Sequence, residues 1–291
     1  MTDEMYEEFD KFWQEQEWQN ILAEKRKEID DVPINLILDT NWWIYLTKEE
    51  NFEVLQEIIK NLNTGKFRIL VPEVIIQEWE RNLNHTKDSA QQTILNQCKN
   101  AKRISSFIEE PERSQLESIL ERYTSKEEIR LDAIQKTIDI IEDLIRSKSV
   151  IIPISEETKD RVIEFGIQKK APFKSKNSVG DAIIFFSSME YLKKETDTSV
   201  SSSIFISNNS DDFSKSIKEK DIIHPDLEPF INETKAIFER NIAKALKLTD
   251  EMQHKIEEYL NFKAESKLED EYIEHQIEMH IQHQIDIARG K

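Results

Sequence analysis

The chain's 291 residues suffice for one large domain with additions or two small ones, and a composition 34% charged and 38% hydrophobic with 4 glycines and 7 prolines reads as soluble and rich in long helices. So little glycine excludes the phosphate-cradling loops of Walker and dinucleotide type, and the single Cys98 excludes a disulfide framework or a cysteine-based zinc cluster, which fits a reducing cytoplasm. A net charge of −18 opposes indiscriminate polyanion binding at long range, so a nucleic-acid role requires a local basic patch or bound cations.

Residues 1–31 carry 11 acidic and 4 basic side chains, with Met5, Phe9, Phe12 and Trp13 at helical spacing; an amphipathic helix packed on the main body is expected. The acidic start lacks the regions of a signal peptide, and no run reaches the roughly 18 to 20 apolar residues of a membrane span. The expectation is a cytoplasmic protein without a membrane role.

After Pro33 come short apolar runs of the kind buried on both faces of a parallel sheet: Ile34 to Leu38, Phe67 to Val71, Val150 to Ile154 interrupted by Pro153, and Ile204 to Ser207. Helical segments separate them, which predicts an α/β fold with a parallel sheet covered by helices. Residues 73–148 read as nearly continuous helix broken near Pro111. Beyond Pro229 no proline follows, and Ile273, Ile277, Ile281 and Ile285 form a narrow stripe on a charged helix that either folds back or meets a partner. The expected organisation is a helical extension over 1–31, an α/β domain over 32–228 with a helical insertion at about 87–148, and a helical extension over 229–291.

In such sheets the reactive crevice lies beyond the carboxyl ends of the strands. Asp39 follows the first run directly, in LILDTN; Asp211 and Asp212 follow the fourth, in FISNNSDDF. Glu78 lies early in the helix after the second run, in VPEVIIQEW, and Asp181 in SVGDAIIFF. Each has a structural alternative. Asp39 can cap a helix starting near Trp42, Asp181 can close a capping box with Ser178, Asp211 and Asp212 can cap a helix starting near Phe213, and Glu78 can be a solvated helix position. Glu73 is assigned to the dipole of its first turn. Gathered at one sheet edge, the acids would repel unless a cation joined them. Oxygen-only ligands suit Mg²⁺ or Mn²⁺, and such an ion supports phosphodiester hydrolysis.

Together the motifs LILDTN, VPEVIIQEW, KAPFKSKNSVGDAIIFFSSMEYL and FISNNSDDF resemble the PIN-domain nucleases, in particular their DUF4935-type branch, over residues 34–224. The resemblance implies a parallel sheet flanked by helices and a Mg²⁺- or Mn²⁺-dependent endoribonuclease. It places Asp39, Glu78 and Asp181 as metal ligands and catalytic acids. Asn209 takes the fourth acidic position, following Ser207, with Asp212 near the metal or capping the next helix; one tightly bound ion is then expected. Thr40 and Asn41 would serve the metal waters or Asp181. The implied substrate is single-stranded or structured RNA, cut to a 5′-phosphate and a 3′-hydroxyl, with a toxin or defence role as the family expectation. A DNA nuclease is the enzymatic alternative, and a catalytically weak binding module with a homo-oligomeric or protein partner on its terminal helices is the other.

Lys169, Lys170, Lys174 and Lys176, with no acid among residues 166–179, form the candidate RNA-binding patch beside Asp181, to which Asn41 is added. Phe173 is expected to pack the loop rather than stack on a base, and Trp42 and Trp43 to serve core or rim. His275, His280 and His283 are read as a polar helix face.

Overall fold

The computed structural model describes residues 18–48, 51–174, 178–196 and 198–288. In chain order the elements are α1 (18–27), β1 (Ile34–Leu38), α2 (Thr40–Leu46), α3 (Phe52–Asn63), β2 (Phe67–Pro72), α4 (Glu73–Ser105), α5 (Glu112–Ser125), α6 (Glu127–Arg146), β3 (Val150–Ile152), α7 (Glu156–Gln168), α8 (Val179–Glu195), β4 (Ser203–Ile206), α9 (Ser210–Phe213), α10 (Glu228–Thr234), β5 (Ile237–Glu239) and α11 (Ile242–Ala288).

The strands form one parallel sheet in the order β3-β2-β1-β4-β5. All five residues of β1 are buried, as expected of a central strand covered on both faces. Its one polar member, Asn35, is satisfied on both sides: its Nδ2 donates to Ser203 Oγ at 3.0 Å and its Oδ1 accepts from Arg68 Nε at 2.7 Å. Asn35 thus pins β1 to both neighbours in register, with Leu36 opposite Ile69 and Ile204. Gly65, at φ +75, supplies the left-handed turn between α3 and β2.

Helix α8 explains why AIIFF is so apolar. It buries Ala182, Ile184, Phe185, Phe186, Met189 and Leu192, and the Phe185 ring meets those of Phe186, Phe205, Phe213 and Phe230 at centroid distances of 5.3–6.1 Å. The predicted break near Pro111 separates α4 from α5. Arg113 donates to the carbonyls of Ser105 and Ser106 at 3.1 and 2.7 Å, satisfying the end of α4.

The described residues divide into two compact units, one spanning Pro33–Asp250 and one made from the chain before Pro33 and after Asp250. The sheet-bearing unit runs past residue 228 because a fifth strand, β5, follows α10 and pairs with β4. In the other unit α1, expected to pack on the main body, is tied to α11 by ion pairs: Lys25–Glu271 at 2.6 Å, Glu28–Lys267 at 2.9 Å and Arg26–Glu257 at 3.1 Å. Met5, Phe9, Phe12 and Trp13 lie outside the described residues, as do the side chains of Ile285, His275, His280 and His283. Ile273, Ile277 and Ile281 are exposed. Among the described residues no helix is long and apolar enough to cross a membrane.

Candidate active site

From β1 the chain runs outward to β2 and β3 on one side, then returns to β4 and β5 on the other. The switch point therefore lies between β1 and β4, and the crevice of a doubly wound sheet opens at their carboxyl ends. Asp39 leaves β1 there, its N–H donating to Ile206 O at 3.0 Å, and Ser207 leaves β4, its N–H donating to Glu239 O at 3.1 Å.

Asp39 is 1% exposed and divides its oxygens between two roles. Its Oδ1 accepts from the Asn41 N–H at 2.6 Å, capping α2, while its Oδ2 accepts the Ser207 hydroxyl. The capped helix begins at Thr40 rather than near Trp42, because Asp39 is itself the residue that caps it. The Asp39 carboxyl is raised to about 6, chiefly by burial, with hydrogen bonds from Ser207 and Asn41 opposing the rise and the charges of Glu78 and Asp212 contributing to it.

Glu78 sits in the second turn of α4, half-buried rather than solvated, and its Oε2 accepts the Thr40 hydroxyl at 2.5 Å. Thr40 thus serves Glu78, not Asp181. Glu73 is exposed in the first turn of α4, where the dipole favours it. Asp181 is the third residue of α8, but the local pattern for a capping box is not used: Ser178 makes no side-chain cap. The Asp181 carboxyl is raised to about 7, first by burial and then by the charges of Asp39, Asp212 and Glu78, with the Asn209 amide opposing them.

Helix α9 begins at Ser210, so Asp211 and Asp212 lie inside its single turn rather than capping a helix at Phe213. Asp212 is 1% exposed. The Asn209 Nδ2 donates to Asp212 Oδ2 at 2.5 Å and to Asp181 Oδ2 at 3.4 Å, placing an amide between the two acids. Asp212 Oδ1 is buried with no hydrogen-bond partner among the described residues.

Asp39, Glu78, Asp181 and Asp212 are thus brought into mutual electrostatic contact. Among the described residues no three carboxylate, imidazole or thiol groups form a ready-made metal cage; each of the four acids instead engages a hydroxyl or amide donor. An all-oxygen donor set, two carboxyls held near neutral pH by burial and like charge, and one buried oxygen with no partner fit a hard divalent ion such as Mg²⁺ or Mn²⁺.

The lysines separate. Lys174 donates to Ser214 O at 3.2 Å; burial lowers its pKa, against the charges of Asp226, Asp212 and Asp211, which places it beside the acids. Lys169 caps α7 at φ 52, its backbone N–H donating to Gly166 O at 3.3 Å, and the Lys170 Nζ lies 5.3 Å from the Phe165 ring centroid on the same helix. Lys176 lies outside the described residues. The Phe173 ring packs on Gly166, about 4 Å from where a Cβ would stand, and Trp42 and Trp43 are buried, so all three serve packing. Asn41 is exposed next to Asp39.

Two residues escaped sequence reasoning. Asp226 Oδ2 accepts from the Ala171 N–H at 2.9 Å, tying down the lysine-bearing loop. His224 Nδ1 accepts from the Asp226 N–H at 3.1 Å, and burial with the nearby Lys174 charge lowers the imidazole pKa. The only local signal was HPD, a turn-forming phrase ahead of α10.

A family model described as a PIN domain matches residues 36–213, more than half of the chain, a span within which the four acids lie. No curated protein and no solved structure matches the chain.

Proposed function

The chain belongs to the PIN-domain family, whose members are typically metal-dependent nucleases, and on that premise we propose that it is an endoribonuclease using Mg²⁺ or Mn²⁺ to hydrolyse RNA phosphodiester bonds. The observation that carries this reading is the buried, unpartnered Oδ1 of Asp212 within a group of four acids at the switch point. An uncompensated carboxylate oxygen there is costly unless a cation joins it.

Asp39, Glu78, Asp181 and Asp212 would hold the ion. When bound, the ion supplies a more acidic water and charge stabilisation at the leaving oxygen. The remaining residues orient these ligands: Ser207 and the Asn41 N–H fix the two Asp39 oxygens, Thr40 fixes Glu78, and Asn209 fixes Asp212. Lys174 and the exposed Asn41 amide are suited to hold phosphate oxygens of a strand laid across the acids, positioning it without reading its sequence.

Asn209 favours a second reading, a PIN fold that binds RNA or protein without cutting, because a neutral amide stands between Asp181 and Asp212 where a further charge would strengthen the hold on a cation. The two separate when the purified chain is incubated with labelled RNA and DNA of one sequence in Mg²⁺, Mn²⁺ or EDTA, alongside Asp39→Asn and Asp181→Asn. The nuclease reading expects RNA cleavage that requires the divalent ion and is lost in each variant. Cleavage persisting in EDTA or in both variants contradicts it, a preference for DNA replaces the substrate, and retention of uncut RNA supports the binding module.

A further inference from the structure

Gly180 is the second residue of α8, immediately before Asp181. Its φ lies outside the left-handed region, so the backbone there does not require glycine, and in a helix alanine is the more favourable residue. What requires glycine is space. A Cβ at this position would stand 2.0 Å from Glu78 Oε1, 3.1 Å from its Cδ and 3.8 Å from its Oε2, and these are the three nearest atoms. The Glu78 carboxylate therefore occupies the volume of the missing methyl group, with its other oxygen held by Thr40 from the opposite element.

We infer that Gly180 is a positioning residue for Glu78: its bare Cα is the slot that lets a carboxylate from α4 reach across to the first turn of α8 and lie beside Asp181. The slot also suits the charge. Ser178 gives α8 no side-chain cap, and a carboxylate beside the first turn of a helix is favoured by the helix dipole. The obstructing atoms belong to the far end of a flexible side chain, so a methyl group at residue 180 leaves the fold intact and displaces the Glu78 carboxylate. The functional half of this inference rests on the cation-site reading above; the steric half does not.

The test is a double-mutant cycle on the full chain: wild type, Gly180→Ala, Glu78→Ala and the double variant, each followed by metal-free thermal unfolding and by Mn²⁺ calorimetry. With Ala at 78 the slot is empty, so Gly180→Ala is expected to raise the unfolding midpoint by about 2–4 °C through helix propensity, whereas with Glu78 present that gain is absent or reversed. Gly180→Ala is expected to weaken Mn²⁺ binding about tenfold or more while the midpoint stays within about 2 °C of wild type. Equal midpoint gains in both backgrounds, or wild-type Mn²⁺ affinity in Gly180→Ala, would overturn the inference. A wild type that takes up no Mn²⁺ counts against the cation-site reading instead, and the thermal cycle still decides whether Glu78 fills the slot.

Discussion

Asn209 puts an amide where another acid would add a further negative charge, and that amide donates to both Asp212 and Asp181. Asn209→Asp removes two donors and adds like charge. It is expected to lower metal-free stability by on the order of 1–3 kcal/mol and to tighten Mn²⁺ binding about tenfold, read by thermal unfolding and calorimetry. The acids beside it set a pH dependence. Asp39 and Asp181 are raised to about 6 and about 7 from an ordinary 3.8, so between those values the folded protein binds more protons than the unfolded chain. Their protonated forms stabilise the fold fully below about pH 4, and that contribution is lost as pH rises through about 6 to 7. Asp181→Asn should therefore stabilise the metal-free protein by on the order of 2 kcal/mol at about pH 8 and by little at about pH 4, as read from unfolding midpoints across pH. A gain independent of pH would show that Asp181 is not held under like charge.

At the level of elements, α8 links core to site: the helix that carries Asp181 is fastened by Phe185 among four other phenylalanine rings. Phe185→Ala is expected to cost about 3–5 kcal/mol in urea unfolding, whereas Ile163→Ala on exposed α7 surface should stay within about 0.5 kcal/mol. Equal costs would deny α8 this central place. The apolar runs of β1, β2 and β4 and the break at Pro111 were legible in sequence because burial on both faces and a helix-breaking ring each leave a local signature. Strand β5 was not legible: IFE is three half-buried residues on the sheet edge, ending in a charge, and only pairing with β4 makes it a strand. The same division runs through the site. Asp39 and Asp181 could be placed from their strand-end and helix-start positions, but the Thr40–Glu78 bond joins residues 38 apart and the Gly180 slot depends on a side chain from another helix. At Ser178 a plausible local capping pattern is not used, and Asp181 instead accepts from the Asn209 amide, 28 residues away.

For the whole molecule, charge sets how a nucleic acid can be held. A chain of net charge −18 gains little from long-range attraction to RNA, so on the proposed function binding rests on close contacts and on divalent ions at the acids. With Lys174 beside the acids, Lys174→Ala is expected to weaken RNA binding equally for all sequences and to reduce the slope of log affinity against log salt by about 1; a sequence-dependent loss with an unchanged slope would remove Lys174 from the phosphate-holding role. The most direct test of a cation site at the switch point is Mn²⁺ calorimetry near pH 7 in buffers of different ionisation enthalpy, on wild type and on the Asp39→Asn, Asp181→Asn double variant. Binding in wild type with release of protons from the raised carboxyls, and loss of that binding in the double variant, is the expected result. Absence of binding in wild type, or equal binding by the double variant, would contradict it.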